Sequence, residues 1–325
     1  MRSPTATPDA AVSHSRPRKA GAGLLSRLVA IFSLALFSLP SWADSLFWTL
    51  DPAGPVARSE RYTLIVDAII MAVIVIPTII LTVIFLRRYR ASNTKAGYAP
   101  TWSRSIALEI GMWGIPLIAV GVLGYFVYTG TQAADPYHPG AIEDQAGASS
   151  QPALTIDVIA LDWRWLFVYP KQHIATVHTL TLPVNRPVRF HLTSATVTNS
   201  FFIPRLAGQI YVMPGMHTQQ LLQADKRGTY TGFSAAQSGA GFSWMRFKTH
   251  VVKPAAFQRW VARVQASPDH LTHARYEKLV QPTIDTQGKR LYFSSVAPGL
   301  FDYVTNEVRN GKVYPTHLFA GKKMK

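Results

Sequence analysis

The chain has 325 residues, enough for one or two domains, with a formal net charge of +16, 48% hydrophobic residues and only 15% charged ones. That balance argues against a wholly soluble protein, and no compact Lys/Arg cluster stands on a soluble helix, so the positive charge is assigned to membrane-flanking loops and anionic headgroups rather than to nucleic acid. With no cysteine the sequence excludes disulfides, thiolate ligands and an acylated cysteine, while leaving the compartment open.

Residues 1–43 read as a leader. Arg2, Arg16, Arg18, Lys19 and Arg27 accompany an apolar stretch from Leu24 to Leu39, and Pro40-Ser41-Trp42-Ala43 follows. Small residues at Ser41 and Ala43 fit a signal-peptidase site before Asp44. A short uncleaved membrane helix is the other reading; both place the outer segment 44–62 on the far side of the membrane from the cytoplasm. The span 63–87 contains an uncharged run from Ala68 to Leu86, long enough to cross a bilayer, with Pro77 inside it, which membrane helices tolerate. A second span, 106–130, holds the uncharged run Ile110 to Tyr128. The loop between them, 88–105, is basic: after Arg87 at the end of the span, Arg88, Arg90, Lys95 and Arg104 precede the first acid, Glu109. Beyond Tyr128 come Asp135, Glu143 and Asp144, with no Lys or Arg until Arg164. The excess of positive charge puts the short loop in the cytoplasm and everything after Tyr128 outside.

Residues 131–152 are rich in Pro, Gly, Ala and Ser and read as a linker. From Ala153 the pattern becomes that of strands. Leu154 to Ile159, Trp163 to Tyr169, Pro187 to Ser194, His217 to Ala224 and Phe247 to Val252 are short runs separated by turn signals such as Asn185-Arg186-Pro187 and Lys226-Arg227-Gly228. Residues 153–254 are therefore expected to form an antiparallel sandwich or barrel. From Ala255 the periodicity is helical, and 255–325 reads as an aromatic-rich extension ending in a basic tail. The fold class is thus a membrane-anchored all-β protein: a two-helix transmembrane hairpin, a β-sandwich and a short helical C-terminal extension.

The stretch from Gly232 to Met245, GFSAAQSGAGFSWM, carries the strongest functional signal. Ser234 and Ser238 stand four apart, Phe242 four further on and Met245 three after that. Two cysteines and a histidine at the first three of these positions would make a soft-metal site, but hydroxyls are poor copper ligands and a phenyl ring is none.

Taken with Leu161-Asp162-Trp163-Arg164-Trp165 and Asn199-Ser200-Phe201-Phe202-Ile203-Pro204, this loop makes the chain resemble subunit II of the haem–copper terminal oxidases. Ser200 to Leu206 (SFFIPRL) with Gln209-Ile210-Tyr211 is similar to the quinol-oxidising, cytochrome bo-type branch. The resemblance implies a cupredoxin-like sandwich. It also places the dinuclear-copper ligand positions of the cytochrome c-oxidising branch on Asn199, Ser234, Ala236, Ser238, Phe242 and Met245, of which only the methionine keeps its ligand type. It implies a non-catalytic subunit of a proton-pumping ubiquinol oxidase in the bacterial inner membrane that binds no cofactor itself. Haems and the other copper, with the quinol pocket, are then expected in subunit I. The implied partners are subunit I, smaller membrane subunits, ubiquinol and membrane lipids, and neither cytochrome c nor nucleic acid. It further implies a proton-entry role for Glu109 at the cytoplasmic mouth of the second span; an ordinary helix-end charge paired with Arg104 is the alternative. A membrane-anchored copper carrier or assembly factor using Met213, Met216, Met245 and histidines is the competing function.

Among the remaining candidates, His173, His178, His191, His217 and His250 lack an H-x-H pair or a cysteine partner and are expected on surfaces or strand faces. Trp163 and Trp165, alternating in one expected strand, are read as core packing or docking residues.

Overall fold

A computed structural model describes residues 48–95, 97, 99, 101–135, 137, 152–284 and 288–314. The expected leader and cleavage site, most of the linker and the end of the tail fall outside these residues.

Helix α1 (Pro55–Arg88) begins ahead of the expected span. Pro55 occupies the first helical turn, where a missing N–H costs nothing, and Gly54 before it is extended. About two turns of α1 therefore lie ahead of residue 63, where the expected span starts. Helix α2 (Ile106–Ala134) opens with Glu109 in its first turn. The two helices are long and apolar enough to cross a membrane, and they expose large side chains such as Ile69, Val73, Leu86, Trp113, Leu117 and Ile118, as lipid-facing helices do. They approach closely at Gly130, where an added Cβ would lie 3.4 Å from Thr63 Oγ1.

The domain that follows the two helices contains β1 (Leu154–Leu161), β2 (Arg164–Tyr169), β3 (Ile174–Val177), β4 (Thr179–Pro183), β5 (Pro187–Ser194), β6 (Asn199–Ile203), β7 (Ala207–Val212), β8 (Thr218–Gln223), β9 (Gly228–Ser234) and β10 (Arg246–Val252). Helix α3 (Pro254–Gln265), β11 (His270–Leu271), α4 (His273–Leu279), β12 (Leu291–Phe293), β13 (Ser295–Val296) and α5 (Leu300–Arg309) follow. One sheet has the order β12-β3-β2-β1-β5-β8 and the other β4-β10-β9-β6-β7. Most neighbours are antiparallel, but β1 runs parallel to β5 and β4 parallel to β10.

Aromatic side chains fill the space between the sheets. Phe201 and Phe247 stack at 5.3 Å with 6° between ring planes, and Trp165 meets both edge-on. Gly232 makes room for this stack, since a Cβ there would sit 2.1 Å from Phe247 Cζ. A second core lies on the opposite face of the first sheet, where Ile159, Leu161, Leu166 and Val168 pack with Tyr276, Leu279, Phe301 and Val304. Coverage on both faces explains why β1 starts with alternating burial and ends fully buried: its sequence stops alternating where α4 and α5 supply the second layer. The segment after Leu271, mixed in sequence, forms those helices and two short strands because each is stabilised by this packing rather than by its own periodicity.

The segment around the start of α1 clamps the hairpin to the sandwich. Ala53 N–H donates to the Arg205 carbonyl (2.7 Å) and Asp225 N–H to the Ala53 carbonyl (2.8 Å). Arg58 pairs with Asp225 at 2.5 Å, Arg205 pairs with Asp51, and Glu60 Oε1 accepts the Gly208 N–H at 2.7 Å.

Candidate functional site

The six positions singled out in the sequence are held by adjacent strands. Asn199 opens β6, Ser234 closes β9, and Met245 immediately precedes β10. Strand pairing places Phe201 opposite Ser234. Ser234 Oγ lies 3.0 Å from Asn199 Oδ1 and 3.1 Å from the Ala236 carbonyl oxygen, two acceptors for its single proton, and it accepts the Ser200 N–H at 3.3 Å. The Asn199 amide in turn donates to the Val197 carbonyl at 3.2 Å. Ser234 N–H donates to the Met245 carbonyl. Met245 is fully buried in the main core, with Phe242 half-buried against it.

Two tryptophans shape the loop. Trp163 Nε1 donates to the Ser238 carbonyl at 2.9 Å, and Trp165 Nε1 to the Met245 carbonyl at 3.3 Å. Gly239 (φ +120) and Gly241 lie flat on the Trp163 ring: a Cβ at either would come within 2.9 Å or 2.4 Å of it. Trp163 itself sits in the turn between β1 and β2, not in a strand with Trp165 as the alternation predicts; both rings are nevertheless buried in the same core. The Ser238 hydroxyl oxygen is buried without a protein hydrogen-bond partner among the described residues.

These side chains offer an amide, two hydroxyls, a methyl, a phenyl ring and a thioether. The Ser234 and Asn199 groups are already engaged with each other and with backbone, and the set has neither thiolate nor imidazole. It does not fit a dinuclear copper centre, whose bridging charge requires soft anionic ligands.

A family model described as the periplasmic domain of cytochrome c oxidase subunit II matches residues 153–252, and one described as the COX aromatic rich motif matches residues 265–312. A Pseudomonas putida protein named cytochrome bo(3) ubiquinol oxidase subunit 2 is 43% identical over 278 residues, covering 85% of this chain and 86% of its own. The chain belongs to the ubiquinol oxidase subunit 2 family. An Acetobacter aceti member, named ubiquinol oxidase subunit 2, is 42% identical over 81% of this chain and 83% of its own. Among solved structures, the periplasmic domain of subunit II of cytochrome oxidase of Bradyrhizobium japonicum aligns at 23% identity with a TM-score of 0.34, covering 35% of this chain and 96% of that one.

In this family member Glu109 lies in the first turn of α2 with Arg104 Nε 3.6 Å from its Oε1, the arginine side chain largely exposed and that of Glu109 partly so. The histidines expected on surfaces divide. His178 is buried with a left-handed backbone (φ 59), its Nδ1 3.0 Å from the Arg246 carbonyl oxygen. His250 Nδ1 lies 3.0 Å from Thr229 Oγ1; burial first, then Arg290 and Lys248, holds its pKa below the ordinary histidine value. His191 and His217, apart in sequence, meet.

Sequence reasoning missed the two indole N–H groups as the braces of the loop; the glycines at 239 and 241, spaced to admit a flat ring, were the available signal. It also missed the cluster in the extension, where Glu277 accepts from Lys312 Nζ (2.7 Å), Tyr303 (3.1 Å) and Tyr314 (3.2 Å). Burial pushes the Glu277 carboxyl up, but the Lys312 ammonium and the two hydroxyls outweigh it and hold the group below the ordinary carboxylate range.

Proposed function

We propose that this chain is the second subunit of a membrane-bound, proton-pumping ubiquinol oxidase, in which it anchors and caps the catalytic subunit and carries no redox centre of its own. The observation that carries this reading is the Ser234–Asn199 hydrogen bond where related proteins would need copper ligands. The names of the relatives support the choice of quinol as electron donor. In this reading, haems and one copper reside in subunit I, electrons reach them from ubiquinol without crossing the sandwich, and oxygen is reduced to water there. The hairpin lies in the inner membrane with the β-domain outside, in keeping with the charge asymmetry of its flanks.

Glu109 is proposed as a proton-entry group at the cytoplasmic surface. Its exposure supports proton collection, and the 3.6 Å separation from Arg104 leaves the carboxylate free to change partners.

The test is oxygen consumption by the purified complex. Turnover with ubiquinol and none with reduced cytochrome c is the expected result; turnover with cytochrome c overturns the reading. Within the same complex, Glu109→Gln should slow turnover and proton uptake together, and unchanged rates would remove the proton-entry role while leaving the subunit assignment intact.

A further inference from the structure

His191 and His217 come together on the outer face of the first sheet. His191 lies on β5 opposite Gln219 of β8, and His217 stands two residues before Gln219, on the diagonal of the same face, where long side chains meet. Their ring centroids are 5.0 Å apart, edge to face. On the other side of His191, β1 places Asp157 directly alongside in the parallel register, and His191 Nδ1 lies 3.2 Å from Asp157 Oδ1.

This contact assigns the Nδ1 proton to the carboxylate and leaves Nε2 as the free lone pair. It is the arrangement that fixes the tautomer and the ring orientation of a metal-ligating histidine. No hydrogen bond among the described residues occupies the His217 ring. Phe301 of α5 walls the pair, 5.2 Å from the His217 ring and 6.4 Å from that of His191. The charges around it are Asp157 and Asp302, which favour a cation, and Arg309, which opposes one; the Arg309 guanidinium is engaged with the Gly215 carbonyl at 2.6 Å.

We infer that His191 and His217 bind a divalent transition-metal ion of the zinc type, with Asp157 orienting His191 and water completing the coordination. Two imidazoles suit zinc, and the site is distinct from the six positions around Ser234 and Asn199. No third His, Asp or Glu among the described residues stands ready to complete a cage, so the site is an open, two-imidazole one on the outer surface, suited to reversible binding.

The experiment is equilibrium dialysis of the chelator-stripped, detergent-extracted complex against radioactive zinc. The His191→Gln/His217→Gln double variant should lose one bound equivalent relative to wild type. Asp157→Asn should keep that equivalent with affinity reduced about 10- to 100-fold, the usual cost of removing an orienting carboxylate. Equal stoichiometry in wild type and double variant overturns the proposal, as does unaltered affinity in Asp157→Asn. Should the double variant fail to assemble, the Asp157→Asn affinity decides alone.

Discussion

Ser234 Oγ lies 3.0 Å from Asn199 Oδ1, tying the end of β9 to the start of β6 across 35 positions of sequence. The same hydroxyl accepts the Ser200 N–H, so one small side chain ties β9 to two consecutive residues of β6. Ser234→Ala is expected to destabilise the sandwich by about 1–3 kcal/mol, the cost of leaving buried polar groups without a partner. Thermal unfolding of the variant against wild type checks it, and an unchanged midpoint refutes it.

Gly241 lies against Trp163 so closely that an added methyl would sit 2.4 Å from the ring. Gly241→Ala should cost about 1–3 kcal/mol through overpacking and shift tryptophan emission as the indole moves. Gly121→Ala, whose methyl meets nothing within 4 Å, serves as the control and should leave the emission unchanged.

Glu60 binds the hairpin to the sandwich by accepting the Gly208 N–H at 2.7 Å. Glu60→Ala removes a hydrogen bond to a carboxylate, worth about 1.5–3 kcal/mol. The expected readout is faster proteolysis between β7 and β8 with little change elsewhere. Gly208→Ala should act in the same direction, because its Cβ would lie 2.5 Å from Glu60 Oε1.

The Glu277 cluster makes the extension sensitive to acid. Its carboxyl is held below the ordinary value in the folded chain. The stabilisation it supplies is therefore complete above the ordinary carboxylate range, near pH 4, and is lost as pH falls through the lower folded value. Near-UV dichroism of Tyr303 and Tyr314 should follow that loss, and Glu277→Gln should flatten it. A Gln variant with the same acid transition would refute the assignment.

His250 acts at milder pH in the same sense. Its folded pKa is depressed by burial, Arg290 and Lys248, so its contribution is present above the unfolded value of about 6.5 and is lost as pH drops below it. The melting temperature should fall between pH 7.5 and 5.5 by more in wild type than in His250→Gln, and equal falls would refute it.

Much of the fold was legible along the chain. The uncharged runs at 68–86 and 110–128 announced two long helices, because a bilayer demands length and apolarity that composition displays directly. The strand Pro187–Ser194 was legible to the residue, since polar positions alternate with a one-sided core. Strand β3 was not, being buried along its whole length and without a period to read. Of the helices in the extension, α3 was legible from the helical periodicity after Ala255, whereas α4 was hidden: it has only seven residues and is stabilised by the sheet beneath it.

The sequence by itself determined that the six positions present no thiolate and no imidazole, because ligand chemistry belongs to the side chain and needs no coordinates. Only the tertiary structure decided what those side chains do instead, and which distant residues share a place: Ser234 with Asn199, Trp163 beneath Gly241, His191 between Asp157 and His217. Such partnerships arise from strand order and register, which link positions far apart along the chain and leave no local mark on either segment.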